Sequence, residues 1–392
     1  MTNYFGLTPE ELEKKGAQWT AREIVQQPRI WREVAGLIES DTARVSSFLA
    51  PLLRKPELRI VLTGAGTSAF IGECLAPALV RQINGPAKHN KRWVSAVSTT
   101  DIVAGPAQCL APDVPTLLVS FARSGNSPES MAAVELAQQC LSECYHLIVT
   151  CNAKGALHQR GRALSNACVL LLPEDADDRG FAMTSSFSGM LLAAALVFGL
   201  PLFQEAAGPV AGAVSLDLLE GWAPRLESLV AEGFERIVYL GANELEGLAH
   251  EAALKMLELT DGRIVAMAQT PLGFRHGPKT IVNRKTLVVA LLANDAQARR
   301  YDLDLLAELR SDKIAGRVLA LMAGQGGSAG HPDDVAVPGL TGASDLGLCL
   351  PFALFAQSLA LLYSLALGIR PDNPNAAGAV SRVVRGVTIY PW

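Results

Sequence analysis

Short apolar runs that break into glycine- or hydroxyl-rich turns, each followed by residues at helical spacing, recur along this chain. Ile60-Val61-Leu62 leads into Thr-Gly-Ala-Gly-Thr-Ser and then into a helical pattern, which reads as strand, glycine turn and helix. From Arg236 the design returns, with Ile237-Val238-Tyr239-Leu240, then Gly241, then a helical run to Leu259. The two copies lie 177 residues apart (238 minus 61). Each half then shows a second buried strand, Thr116-Leu117-Leu118-Val119-Ser120 and Thr286-Leu287-Val288-Val289-Ala290, at an offset of 170 (286 minus 116). A long apolar helix closes each half, over 187–199 and 352–368. A period this long is a duplication of whole domains, not a solenoid of short units.

Strand and helix alternate throughout, so the expected class is α/β. The chain should form two tandem doubly wound domains, each a parallel sheet between helix layers (an αβα sandwich), behind an N-terminal helical extension. The extension is assigned to 1–45, the first domain to 46–207, the second to 214–370, and a tail laid over the second domain to 371–392. The join falls within 204–224, where Gly208, Pro209 and Gly212 punctuate the chain. A length of 392 residues suits two domains of ordinary size. The apolar stretch 348–368 is nearly long enough to cross a bilayer, but Pro351, Gln357, Ser358 and Tyr363 interrupt it. It reads as a core helix, apolar all round.

Composition narrows the partners. Only 18% of the residues are charged and the net charge is -4, so no broad basic surface exists for nucleic acid or an anionic membrane. The start, Met-Thr-Asn-Tyr-Phe-Gly, has no secretory pattern, and seven cysteines without scaffold spacing read as free thiols; both point to the cytoplasm. Cys140, Cys144, His146 and Cys151 lack the short spacing of structural zinc sites, so no metal is expected.

In open parallel sheets, ligands bind beyond the carboxyl ends of the strands, where helix N-termini offer free N–H groups. Three loops of the first half are dense in hydroxyls there: Gly64-Ala65-Gly66-Thr67-Ser68, Arg123-Ser124-Gly125-Asn126-Ser127 and Thr184-Ser185-Ser186. Gly64, Gly66 and Ala69 match a dinucleotide fingerprint formally, but the acidic residue expected about 20 positions later is missing. No nicotinamide cofactor is therefore expected. Ser127, followed by Pro128, reads by itself as a helix cap. Three such loops on one half nevertheless suit a phosphate monoester, which needs several converging donors.

The helix expected over 244–259 buries Leu245, Leu248, Ala249, Ala252 and Met256, and its other face carries Glu251, Lys255 and Glu258. Spacing alone makes that a solvated face with an ordinary Glu251–Lys255 pair, worth about a few tenths of a kcal/mol. Downstream, Phe274-Arg275-His276-Gly277-Pro278-Lys279 forms a loop, and a lone loop histidine reads first as structural. Yet a carboxylate at a helix end and a histidine 18 residues later (276 minus 258) are the two groups an aldose–ketose proton shuttle requires.

At these residues the chain resembles the sugar isomerase (SIS) superfamily across both halves. Glu251-Ala-Ala-Leu-Lys255-Met-Leu-Glu258 followed by His276-Gly277-Pro278 resembles the isomerase half of glucosamine-6-phosphate synthase. That resemblance implies that Glu258 shuttles the proton, that His276 opens the sugar ring, and that Glu251 and Lys255 set the charge around Glu258. It also implies that Gly66, Thr67, Ser68, Arg123, Ser124, Asn126, Ser127 and Thr184 to Ser186 hold the phosphate. More closely, Thr63-Gly-Ala-Gly-Thr-Ser-Ala-Phe-Ile-Gly72, Arg123-Ser-Gly-Asn-Ser-Pro-Glu-Ser130, Arg179-Gly-Phe-Ala-Met-Thr-Ser-Ser186 and Gly273-Phe-Arg-His-Gly-Pro-Lys279 resemble bacterial galactosamine-6-phosphate deaminase/isomerase, a family also called tagatose-6-phosphate ketose/aldose isomerase. The likeness runs from Pro28 to Trp392. It implies conversion of galactosamine 6-phosphate to tagatose 6-phosphate and ammonia without metal or organic cofactor, in a homodimer or higher homo-oligomer with shared active sites. A plain ketose/aldose phosphate isomerase and a non-catalytic sugar-phosphate sensor are the alternatives. The synthase's glutaminase domain has no counterpart here, which favours ammonia release over amination. Arg385 stands where the synthase tail has a lysine, and cannot form a Schiff base.

Overall fold

The computed structural model describes residues 4–84, 92–203, 216–324, 330–384 and 386–392. Among the described residues, ten strands form two parallel five-stranded sheets. The N-terminal sheet contains β1 (Arg59–Thr63), β2 (Trp93–Ala96), β3 (Thr116–Ala122), β4 (Cys144–Thr150) and β5 (Ala167–Leu171), in the order β2-β1-β3-β4-β5. The C-terminal sheet contains β6 (Arg236–Leu240), β7 (Val265–Gln269), β8 (Thr286–Leu291), β9 (Arg317–Ala323) and β10 (Val335–Val337), in the order β7-β6-β8-β9-β10. Both sheets thus follow one winding, and the α/β doubly wound class expected from the sequence is what forms. The strand order reverses beside the first strand of each half, at β1/β3 and β6/β8, and open parallel sheets bind ligands at such switch points.

Parallel strands buried on both faces need continuous apolar runs, and β3 and β8 are buried along their whole length. In the N-terminal sheet, Val61, Leu118 and Ile148 face a core shared with Ile102, Ala133 and Leu157, from the helices Thr99–Ala104, Pro128–Cys140 and Ala156–Ala163. Helices Thr67–Asn84 and Ser185–Val197 cover the opposite face. The C-terminal sheet packs Val238, Val288 and Ala320 on Leu305, Leu306 and Leu309 of the helix Ala296–Asp312. Its other face carries Glu244–Leu259 and Asp345–Ala366, which pack closely on each other. Asp345–Ala366 is long and apolar enough to cross a membrane, but 94% of its apolar window is buried inside the protein, as a core helix requires.

The turns that leave β1 and β6 need glycine for the same reason. A Cβ on Gly64 would stand 2.5 Å from the Ser68 backbone, and one on Gly241 only 2.1 Å from the Leu245 carbonyl oxygen, so each helix can begin this close to its strand only over a bare backbone.

The chain divides into two compact units whose limits depart from the sequence-based segments. One comprises Met1–Arg32, Arg179–Thr184 and Pro201–Ala376; the other comprises Glu33–Asp178, Ser185–Leu200 and Ala377–Trp392. The N-terminal extension is divided, and its first part, whose helix Gln18–Val25 packs on Asp345–Ala366, groups with the C-terminal sheet; that helix has no side-chain cap of its own. Asp372 supplies one, accepting from the amides of Trp19 (3.1 Å) and Thr20 (2.8 Å) and from the Thr20 hydroxyl (2.8 Å). The last residues group with the N-terminal sheet, not the second domain, since Arg382 pairs with Asp177 at 3.2 Å and donates to the Asp178 carbonyl. Most of the expected join at 204–224 lies outside the described residues.

Candidate active site

Helix Glu244–Leu259 does not carry its charges on a solvated face. Packing on Asp345–Ala366 and on β6 and β7 covers most of its circumference, leaving Lys255 fully buried and Glu251 1% exposed. The Glu258 side chain, near the helix end, keeps 24% of its surface. The Lys255 ammonium lies 3.5 Å from Glu251 and donates to Glu258. One buried cation is therefore clasped by two carboxylates, of which only Glu258 can be reached from outside. Charges this deep persist only when paired, so the cluster holds together as a unit.

His276 occupies the loop between the turn Pro271–Phe274 and the 3-10 turn Pro278–Ile281. Its basic neighbours are tied down: Arg275 reaches Glu308 at 2.7 Å, and Lys279 pairs with both Glu308 and Asp312, the latter at 2.5 Å. Gly277, with φ at +119°, supplies a backbone conformation that other residues rarely adopt. The imidazole is left exposed, with no hydrogen-bond partner among the described residues. The structure thus fixes the loop and leaves the ring free to meet a ligand; it does not bond His276 to Glu258.

The hydroxyl loops of the N-terminal sheet fall into two kinds. Thr67 and Ser68 open the helix after β1, both nearly buried, while Gly66 takes positive φ. After β3, the Ser124 hydroxyl accepts from the Asn126 amide at 3.3 Å, and Ser127 caps the helix Pro128–Cys140 by accepting from the Ser130 amide at 3.3 Å. Ser127 therefore does act as a cap, and Asn126 accepts from the Ala156 amide at 3.0 Å. Arg123, 6% exposed, donates to the Arg382 carbonyl at 2.7 Å.

The third loop departs from expectation. Thr184, Ser185 and Ser186 are fully buried, and the Asp178 carboxylate accepts from the amides of Ser185 (3.0 Å) and Ser186 (2.9 Å) and from the Ser186 hydroxyl (2.5 Å). Donors expected to meet a phosphate here meet a carboxylate of the chain itself.

With both clusters placed, relatives supply the context. D-galactosamine-6-phosphate deaminase AgaS of Escherichia coli is 45% identical over 384 residues, covering 95% of this chain and 96% of the relative. The chain belongs to the galactosamine-6-phosphate deaminase family. The crystal structure of tagatose-6-phosphate ketose/aldose isomerase from Escherichia coli is 43% identical with a TM-score of 0.81, covering 95% of this chain and 96% of the other. A solved chain from Clostridium novyi reaches a TM-score of 0.92 at 40% identity, with both chains covered in full. No protein-family model matches the chain.

In this deaminase-family chain, several groups that hold the site together were hidden from sequence reasoning. Asp178 lies seven residues before the helix it caps, beyond any capping-box spacing. Glu308 anchors the His276 loop from 33 residues away. Glu23 accepts from the amides of Arg179 (2.5 Å) and Gly180 (3.2 Å) across most of the first half of the sequence. No local pattern reports such long-range partners. Arg385, singled out as the counterpart of a tail lysine, lies outside the described residues.

Proposed function

We propose that the chain converts galactosamine 6-phosphate to tagatose 6-phosphate and ammonia. The reading is carried by whole-chain identity with a D-galactosamine-6-phosphate deaminase, and the partly exposed Glu258 beside buried Lys255 supports the chemistry. Gly66, Thr67, Ser68, Ser124 and Ser127 grip the phosphate, while Arg123, Asn126 and 184–186 keep the loops in place. His276 assists ring opening. Glu258 takes the C2 proton, giving an enolamine, and returns it at C1, giving a ketimine. Water adds to the C=N carbon, and the C–N bond breaks to leave the ketose carbonyl and ammonia, a hydrolytic deamination. Lys255 and Glu251 tune the charge on Glu258, and positioned acid–base catalysis of this kind contributes about 10²–10⁴ in rate. The enzyme works in the cytoplasm as a homodimer, with Glu258 from one chain and His276 from the other at each site.

A second reading, a plain ketose/aldose phosphate isomerase, is favoured by the name of the 43% identical Escherichia coli structure. Pure protein incubated with galactosamine 6-phosphate, and separately with glucosamine 6-phosphate, separates the two. Ammonia and ketose phosphate in equal amounts are expected from the galacto sugar. Ketose formation from an unaminated aldose phosphate, with no ammonia from either amino sugar, would establish the isomerase.

A further inference from the structure

The duplication built two equivalent switch points and finished them with opposite chemistry. Registers match strand for strand: Arg59↔Thr116 to Thr63↔Ser120 in the N-terminal sheet, Arg236↔Thr286 to Leu240↔Ala290 in the C-terminal sheet. Position for position, Thr63 answers to Leu240, Ser120 to Ala290 and Thr67 to Glu244. The Thr63 and Ser120 hydroxyls are buried without a hydrogen-bond partner among the described residues, directly below the loops that grip phosphate in the reading above. Their counterparts are apolar, and Glu244 is a fully buried carboxylate.

The loops repeat the contrast. After β3, the amides of Asn126 and Ser130 are met by neutral serine hydroxyls. After β8, Ala293 donates to Asp302 (3.0 Å), while Asn294 (2.5 Å) and Asp295 (3.2 Å) donate to one oxygen of Asp345. The helix Ala296–Asp312 then begins on Asp295, which accepts from Gln297 (3.1 Å) and Ala298 (2.9 Å). Every one of these five amides already holds a carboxylate. An incoming phosphate would have to displace one carboxylate and settle among three more, against charge repulsion.

We propose that the C-terminal switch point is an anion site filled by the chain's own Asp345, so that each chain takes one sugar phosphate, at the N-terminal switch point alone. This rests on the assignment of the phosphate to the N-terminal loops. Two measurements test it. Calorimetric titration of the wild-type protein with 2-amino-2-deoxygalactitol 6-phosphate, an open-chain analogue that cannot isomerise, should give one equivalent per chain. Asp345→Ala should melt at a lower temperature, and formate, which matches the deleted carboxylate, should restore part of the loss where equal chloride does not; wild type should not respond. Two equivalents in the wild type, or a folded variant indifferent to formate, would overturn the proposal. Should the alanine variant fail to fold, Asp345→Asn keeps an acceptor for both amides, and the wild-type stoichiometry decides. No binding at all would instead sink the assignment of the N-terminal loops, while the formate response reads the second switch point independently.

Discussion

The proposed mechanism turns on Glu258. Glu258→Gln keeps shape and packing but cannot take a proton, so turnover should fall by about 10² or more while sugar phosphate still binds. A variant retaining a tenth of the parent rate would mean that another group is the base. Lys255 was legible as a charge but not as a buried one, because Glu251, Lys255 and Glu258 share the spacing of any solvated helix face. The packing of Asp345–Ala366, β6 and β7 against that helix reveals the burial. Lys255→Met strands Glu251 without its cation and should cost about 3–5 kcal/mol in urea unfolding. Asp302 adds a pH signature. Burial foremost, with Asp345 nearby, raises its pKa to about 6, against opposing help from the Ala293 amide and Arg299; Asp295 adds to the rise. In the window from about 4, the unfolded value, to about 6, the folded state holds a proton that the unfolded state has lost. Stability should therefore fall as pH rises through that window, by at most about 1.4 kcal/mol per pH unit. Asp302→Asn should flatten the melting profile there, leaving the slope due to Asp345, whose pKa burial also raises.

Secondary elements were the most legible level where the apolar run is continuous, as in β1, β3, β6 and β8, and where a glycine marks the turn, as at Gly64 and Gly241. What the pattern concealed was how helices are capped by carboxylates far away in sequence. Asp372 caps Gln18–Val25, and Asp178 caps Ser185–Val197. The second case changes how mutations in the hydroxyl loops should read. Asp178→Ala leaves two buried amides and a hydroxyl unmet, at about 1–3 kcal/mol for each orphaned group, and should lower the melting temperature before it affects the Michaelis constant. Ser124→Ala with Ser127→Ala should do the reverse, weakening substrate binding by about 1.5–3 kcal/mol per lost donor to a charged group while saturated turnover changes little. A drop in stability with an unchanged Michaelis constant would make the Ser127 cap its whole role.

At the scale of the whole molecule, the duplication could be seen because the offsets of 177 and 170 residues survive in two pairs of strands. The unit limits could not, because they depend on which distant helix the terminal segments cap. Assembly raises the same question between chains. The His276 side chain is exposed and has no partner among the described residues, whereas Glu258 is held within its own chain by Lys255, so an incoming histidine from a second copy would complete the pair of groups the proposed reaction needs. A two-fold arrangement creates two such composite sites. Inactive Glu258→Gln and inactive His276→Ala proteins, mixed under conditions that exchange subunits, make this measurable. Random pairing places half of the chains in mixed dimers. If sites are shared, each mixed dimer has one doubly defective site and one intact site, so activity should return to about a quarter of the parent value. If both residues serve within one chain, each site in the mixed dimer keeps one defect and the mixture stays inactive. Subunit exchange verified by mass, with no recovery of activity, would rule out sharing and leave the proton-shuttle role of Glu258 intact.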